Sequence, residues 1–246
     1  LFTYIHSIMG MCENQYRFVK EYALDKLTVQ SKDVNMLELG DQVLNNHNNF
    51  FDGIKTAKEF YTRSGYNHTS FDWNGQNGSI PIDLTLLTNS FNKQYDLITD
   101  HGTSEHVHNQ YNLFKNLHNW GNVGCIYVHC VPLHGDEHKQ YLNYEFPPHG
   151  DYEYSSKFWE ELSKENGYEL IISKGDLVSN MALSYPKNFY SASSYRKIND
   201  DEFISKETFD RIFYLHCKRT TDKMSRRGHE IWKASLPSEL RQKYKI

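Results

Sequence analysis

The stretch Val34–Gln42 reads Val-Asn-Met-Leu-Glu-Leu-Gly-Asp-Gln, and it decides the predicted fold. Its apolar part, Val34 to Leu39, is short and ends at Gly40, which is typical of a buried strand followed by a turn. Helical patterns lie on both sides of it, over Glu13 to Leu27 and over Asn46 to Arg63. This alternation of strand and helix predicts an α/β fold.

Further short apolar runs extend the alternation along the chain. Together with the first, they predict seven strands: Val34–Leu39, His68–Phe71, Ser79–Leu84, Tyr95–Thr99, Val123–Val131, Tyr168–Ser173 and Ile212–Lys218. Two more helices are predicted, one that Ser104 caps and one over Ser155 to Glu165. We therefore expect a doubly wound, mainly parallel seven-stranded sheet.

The same patterns predict how the chain is divided. We expect a helical cap over residues 1–33, one Rossmann-like domain over 34–218 and a basic tail over 219–246. Between the sixth and seventh predicted strands, residues 174–211 have helical and loop character. They are predicted to form a lid or an acceptor-binding insertion before the last strand.

Composition limits the class of protein. The chain has 246 residues, a formal net charge of −4, and no run of 18 apolar residues. The charge argues against a nucleic-acid partner, and the hydropathy argues against a membrane span. Leu1 to Met11 lack the basic leader of a signal peptide, and the four cysteines form no close pairs. We expect a cytoplasmic protein with reduced thiols.

Acidic residues lie at or near the ends of the first four predicted strands, and these ends decide the predicted site. They are Glu38, Asp72, Asp83 and Asp100. In an open α/β sheet, ligands bind outside the carboxyl ends of the strands. A carboxylate that closes the second strand can accept hydrogen bonds from both ribose hydroxyls, and Gly40 lets a ligand approach the backbone closely. The pattern predicts a site for a nucleoside.

This set of strand ends resembles the class I S-adenosylmethionine-dependent methyltransferases over about residues 34 to 173. The resemblance implies a Rossmann-like fold, S-adenosylmethionine as cofactor, and methyl transfer as the reaction. It also implies roles for residues that match the motifs of the family. Glu38, Gly40, Asp41 and Gln42 match the first motif at the methionine end, Asp72 the ribose-binding acid, Asp83 and Leu84 the pair beside the adenine, and Asp100, His101 and Gly102 the fourth-strand motif beside the methyl group.

The first motif contains fewer glycines than is usual in the family. The family usually has two or three there, whereas Gly40 stands alone before Asp41 and Gln42. Downstream, the loop Pro147–Tyr152 is similar to a segment of small-molecule and sugar-modifying members. This likeness implies a small soluble acceptor, with methylation at oxygen or nitrogen. A sugar or a phosphorylated precursor of a surface polysaccharide is the acceptor class it implies.

Histidines are concentrated on the expected acceptor side, with eight of the thirteen between His101 and His149. An imidazole is suited to removing a proton from a hydroxyl acceptor. We predict His106 and His149 as the first candidates for such a base. His129 is a further candidate, although its place on a buried strand is equally typical of a packed histidine.

Two other functions stay open at this point. Glu105, His106 and His108, with His134 and His138, offer ligand types for a metal-dependent hydrolase or oxygenase. Because a metal needs three or four converging donors and no such motif occurs, no metal site is predicted. A binding module without catalysis is the second alternative, because the first motif has a single glycine. The sequence is silent on oligomeric state and leaves a homodimer open.

Overall fold

The structure is a computed structural model. It describes residues 10–45, 49–88, 91, 95–134, 137, 150–178 and 189–219. The helices are α1 (Glu13–Tyr22), α2 (Ala57–Arg63), α3 (Gln110–Trp120), α4 (Ser156–Glu165) and α5 (Lys206–His216). The strands are β1 (Gly10–Cys12), β2 (Asn35–Leu39), β3 (Val43–Asn45), β4 (Asn67–Phe71), β5 (Tyr95–Asp100), β6 (Gly121–Pro132), β7 (Tyr152–Tyr154), β8 (Glu169–Val178), β9 (Phe189–Arg196) and β10 (Cys217–Arg219).

Six strands form the main sheet, in the order β4-β2-β5-β6-β9-β8. The first four are parallel, and β9 runs antiparallel to both of its neighbours. Because β2 lies between β4 and β5, the strand order reverses at β2. This reversal defines a crevice at the carboxyl ends of β2 and β5, which we call the switch-point crevice. The predicted doubly wound, mainly parallel α/β fold is confirmed, although the sheet has six strands within the described residues and not the predicted seven.

Helices cover both faces of the sheet, which gives three layers. On one face, Leu37 of β2 belongs to the same buried cluster as Phe114 of α3, and α4 and α5 contribute to this cluster as well. On the other face, Met36 belongs to a cluster with Val19 of α1 and Tyr61 of α2. Neighbouring residues of β2 therefore pack on opposite sides, as the alternation of a strand requires.

Two smaller pairings complete the described structure. Strand β1 pairs with β3 in parallel, and β7 pairs with β10 in antiparallel fashion. Among the described helices, none has both the length and the apolar character needed to cross a membrane.

Two of the predicted strands are wrong. Residues 79–84 form no strand and contribute only the bridge between Ile80 and Phe71. Ile212–Lys218 lies mostly in α5, which begins after Ser205, whose Oγ accepts a hydrogen bond from Thr208 N at 3.2 Å. The buried residues of α5 are spaced as on one helix face, whereas a strand needs a period of two. They are Phe209, Ile212 and Phe213.

The predicted lid over residues 174–211 is also wrong for its described part. Residues 174–178 are the end of β8, and residues 189–196 are β9, which lies between β6 and β8. In chain order, the last strand of the main sheet therefore lies within the residues predicted as an insertion. This strand has little apolar signal because three of its buried residues are serines. They are Ser191, Ser193 and Ser194.

Helix starts also differ from prediction, and capping explains why. Helix α2 begins at Ala57 and not at Asn46, because Thr56 Oγ1 accepts a hydrogen bond from Glu59 N at 3.2 Å. Helix α3 is capped by Asn109 in the same way, while Ser104 starts a short 3-10 turn. The predicted tail beyond Arg219 lies outside the described residues.

The period of α5 can be tested with two substitutions. Ile212 is 0% exposed and Tyr214 is 79% exposed, although a strand would place both on the same face. We expect Ile212→Ala to lower the free energy of unfolding by about 2–5 kcal/mol, as in other buried large-to-small changes. Tyr214→Ala should change it by no more than about 0.5 kcal/mol. Urea unfolding measures both, and equal losses would contradict the helix.

Candidate functional site

The switch-point crevice begins where β2 ends. Gly40 has a φ of +85°, in the left-handed region that favours glycine, and its N–H donates to Phe71 O of β4 at 2.7 Å. The chain therefore turns sharply at Gly40 and is tied to the neighbouring strand. The next two residues, Asp41 and Gln42, leave this turn toward opposite sides of the crevice.

Asp72 lies against this turn from the β4 side. Its Oδ2 accepts a hydrogen bond from Asp41 N at 2.6 Å, and its Oδ1 accepts one from Asn74 N at 2.8 Å. Asn77 Nδ2 in turn donates to Asp41 Oδ2 at 2.7 Å. These bonds fix the orientation of the Asp72 carboxylate beside Gly40. The structure thus brings together the predicted ribose acid and the predicted glycine turn.

On the β5 side, two side chains bridge the crevice. Gln42 Nε2 and Thr103 Oγ1 each donate to Leu39 O at 3.0 Å, and they lie 3.3 Å from each other. A Cβ added at Gly40 would lie 2.5 Å from both of these atoms. We call this arrangement the Gln42–Thr103 bridge. It covers Gly40, so side chains of the protein occupy the close approach that the sequence reserved for a ligand.

At the end of β5, Asp100 and His129 form a buried polar chain. His129 Nδ1 lies 3.0 Å from Asp100 Oδ2, and His129 Nε2 lies 3.0 Å from the Tyr195 hydroxyl. Asp100 Oδ1 accepts hydrogen bonds from Thr103 N and Ser104 N. Burial acts to raise the pKa of Asp100, but the bonds from His129 and from this loop outweigh burial and lower it. Both ring nitrogens of His129 are therefore engaged inside the core.

His101 and Glu105 follow on the same loop, and both are buried. Within the described residues, neither ring nitrogen of His101 has a hydrogen-bond partner, and neither does Glu105 Oε2. Burial lowers the pKa of His101 to about 4, although Asp100 opposes this. Burial, with a contribution from Asp100, raises the pKa of Glu105 well above its usual value. His101 is therefore neutral near pH 7, and burial favours the protonated form of Glu105.

The outer part of this loop carries two partly exposed histidines. His106 Nε2 lies 3.7 Å from Glu105 Oε1, and the side chain is 22% exposed. His108 Nδ1 lies 2.5 Å from Asp151 Oδ2, with the histidine 30% exposed and the aspartate buried. Asp151 N donates to Glu105 O at 2.7 Å, which ties the two segments together. Sequence reasoning missed the pair of His108 and Asp151, while His149 lies outside the described residues.

Three of the predicted cofactor residues are engaged elsewhere. Glu38 faces away from the Gly40 turn, and Asp83 and Leu84 contact residues of the protein. Glu38 is buried on the α2 face, where its Oε2 lies 3.4 Å from His68 Nε2. Burial raises the pKa of Glu38, and His68 offsets this only in part. Asp83 Oδ1 accepts a hydrogen bond from Thr85 N at 3.0 Å, and Leu84 packs in the core. Glu38 points away because it alternates with Leu37 and Leu39 on β2.

Metal ligation finds no support in the described residues, where no group of three or more histidine, cysteine, aspartate or glutamate side chains could hold an ion. His138 lies outside the described residues.

The chain is similar to known proteins in its fold. No family model matches the chain, and no curated protein matches it. The solved structures to which it is similar include Burkholderia thailandensis 1,6-didemethyltoxoflavin-N1-methyltransferase with bound S-adenosylhomocysteine, at 12% identity and a TM-score of 0.46. That match covers 75% of this chain and 87% of the other. The chain resembles it in fold alone.

Two further solved structures are similar at the same level. TehB from Haemophilus influenzae matches at 13% identity and a TM-score of 0.46, over 75% of this chain and 67% of its own. The glycopeptide N-methyltransferase MtfA, complexed with S-adenosylhomocysteine, matches at 10% identity and a TM-score of 0.44, over 76% and 92%.

The lowered pKa of His101 predicts a pH dependence of stability. The unfolded chain takes up this proton near pH 6.5, whereas the folded chain takes it up only near pH 4. Wild type should therefore lose stability through His101 as the pH falls between these values. Relative to wild type, His101→Leu should gain roughly 2 kcal/mol in free energy of unfolding between pH 7 and pH 4.5. Chemical unfolding at both pH values tests this, and parallel curves would contradict it.

Proposed function

We propose that the chain binds S-adenosylmethionine in the switch-point crevice and transfers its methyl group to an oxygen or nitrogen of a small acceptor. The observation that carries the proposal is the Asp72 carboxylate, held beside the Gly40 turn by the bond from Asp41 N at 2.6 Å. A fixed carboxylate at this edge of a doubly wound sheet suits a ribose. The strand order, with its reversal at β2, provides the crevice.

The charge at the crevice supports this cofactor over a dinucleotide. Asp72 and Asp41 lie at its β4 side, and the turn has one glycine. A pyrophosphate wants several backbone N–H groups at a helix start, whereas a sulfonium cation is attracted by carboxylates. When bound, S-adenosylmethionine would supply an electrophilic methyl group. Asp72 would hold the ribose, the turn at Gly40 and Asp41 would lie beside the nucleoside, and the loop that begins at Asp100 and His101 would lie on the β5 side of the site.

This assignment is tested by binding of S-adenosylhomocysteine, measured by calorimetry. We expect micromolar affinity for the wild type and a loss of at least about tenfold for Asp72→Ala, because a charge-assisted bond contributes about 1.5–3 kcal/mol. Asp96→Ala is the matched control, since Asp96 also accepts a backbone N–H, from Asn35 at 2.9 Å, but at the amino end of β5. Equal effects of both variants, or no binding at millimolar ligand, would refute the assignment.

The acceptor proton, where the acceptor is a neutral hydroxyl, would go to a histidine of the loop after β5. His106 is the candidate from the sequence, and His108 joins it because the buried carboxylate of Asp151 lies against its ring nitrogen. We propose His108 as the base and Asp151 as its positioning residue. His129 has both ring nitrogens bonded in the core, so we assign it to positioning Asp100. His149 stays a candidate outside the described residues.

The choice of base is tested by transfer of label from tritiated S-adenosylmethionine to a panel of sugars and sugar phosphates. We expect His108→Gln to lower the transfer rate by about 100-fold, the usual size of a general-base contribution, with a smaller loss in His106→Gln. His216→Gln is the control, because its ring contacts Glu161 of α4 at 2.9 Å and not a residue of the loop after β5. An equal or larger loss in His106→Gln would overturn the assignment to His108.

The panel follows from the acceptor class that we propose, a sugar or a phosphorylated precursor of a surface polysaccharide. We propose further that the protein acts in the cytoplasm, without nucleic acid, as a monomer or a homodimer. A second candidate function is a nucleoside-binding module without transfer. It is favoured by the Gln42–Thr103 bridge, which occupies the crevice beside Gly40. Label transfer to any acceptor would exclude this second function.

A further inference from the structure

The two sides of the switch-point crevice differ in what they offer a ligand. On the β4 side, Asp72 presents an oriented carboxylate beside the backbone of Asp41. On the β5 side, the Gln42–Thr103 bridge occupies the space beside Gly40. A ligand that extends from Asp72 across Gly40 toward β5 therefore meets the amide of Gln42 and the hydroxyl of Thr103.

The bridge occupies the side of Gly40 from which a Cβ would project. A Cβ built there would lie 2.5 Å from Gln42 Nε2 and from Thr103 Oγ1, so these two atoms fill the space on that side. Gln42 is also buried, so a ligand does not reach this space by passing between its side chain and the solvent. A ligand group that approaches Gly40 from this side requires the Gln42 side chain to turn away.

The closed arrangement of the Gln42–Thr103 bridge leaves one polar atom of Gln42 without a hydrogen bond. Gln42 Nε2 has its two partners, but Gln42 Oε1 is buried with no hydrogen-bond partner among the described residues. An unsatisfied buried acceptor costs free energy, so the closed arrangement of Gln42 is less favourable than its two bonds suggest. Turning the side chain outward breaks these bonds but returns both ends of the amide to water. The Gln42 side chain can therefore turn outward at a moderate cost in free energy. A ligand that requires this movement binds more weakly by that amount.

We propose that Gln42 determines ligand specificity by closing the amino-acid half of the crevice. The inference rests on the proposed function, because it assumes that a nucleoside binds at Asp72. The adenosine part of a ligand then binds without disturbing the bridge. The homocysteine part of S-adenosylhomocysteine binds only after Gln42 has turned away, and the cost of that movement cancels most of its contribution to affinity.

The experiment compares two ligands on the full chain by calorimetry. S-adenosylhomocysteine carries the amino-acid group, and 5′-methylthioadenosine carries the same nucleoside and thioether without it. We expect the two affinities for wild type to agree within about threefold, and Gln42→Ala to bind S-adenosylhomocysteine about tenfold more tightly. The affinity of 5′-methylthioadenosine should change by less than about threefold.

Two further variants separate this effect from a general change in the fold. Thr103→Val keeps the shape of the side chain but removes its bond to Leu39 O, so it should shift the preference in the same direction by a smaller factor. Gln15→Ala removes another buried glutamine, whose Oε1 accepts from Cys12 N at the start of α1, and should leave the ratio of affinities unchanged.

The outcomes distinguish the two proposals. If neither ligand binds wild type or Gln42→Ala at millimolar concentration, the proposed function fails and the inference fails with it. If wild type binds S-adenosylhomocysteine much more tightly than 5′-methylthioadenosine, or if Gln42→Ala binds it more weakly, the cofactor assignment stands and the role of Gln42 is overturned.

Discussion

The turn at Gly40 is the constraint on which the candidate site depends. Its φ of +85° and the bond from its N–H to Phe71 O direct the chain out of β2 in a single residue. Because of this turn, the N–H of Asp41 meets Asp72 on one side, and the side chain of Gln42 meets Thr103 on the other. A side chain at position 40 would collide with the bridge and would also be strained. One backbone conformation thus determines both halves of the crevice.

The sequence predicts the fold best where strands are apolar on both faces. Strands β2, β5 and β6 follow the apolar runs that parallel, doubly covered strands require, and their predicted positions agree with the structure within a few residues. Hydropathy does not reveal β9, because serines occupy three of its buried positions and the strand shows no apolar period of two. The sequence predicts a strand in place of the end of α5, because Ile212 to Lys218 is too short a window to separate the helical period from that of a strand.

The candidate site is predictable only in part, for a related reason. The chain order of strand ends identifies Gly40 and Asp72, because the topology brings carboxyl ends to one edge. The alternation along β2 would have placed Glu38 on the opposite face from Leu39, but an acid at a strand end masks that signal. The contact of His108 with Asp151 joins two loops, and loop geometry depends on packing that no local pattern encodes.

The position of β9 has a consequence for how the chain is made. Residues 189–196 enter the sheet between β6 and β8, which are both synthesised earlier. A nascent chain that has not yet released this segment holds two unpaired strand edges, each with a row of free backbone donors and acceptors. Such edges pair readily with other chains, so the interval before β9 emerges from the ribosome is when this protein is most exposed to aggregation.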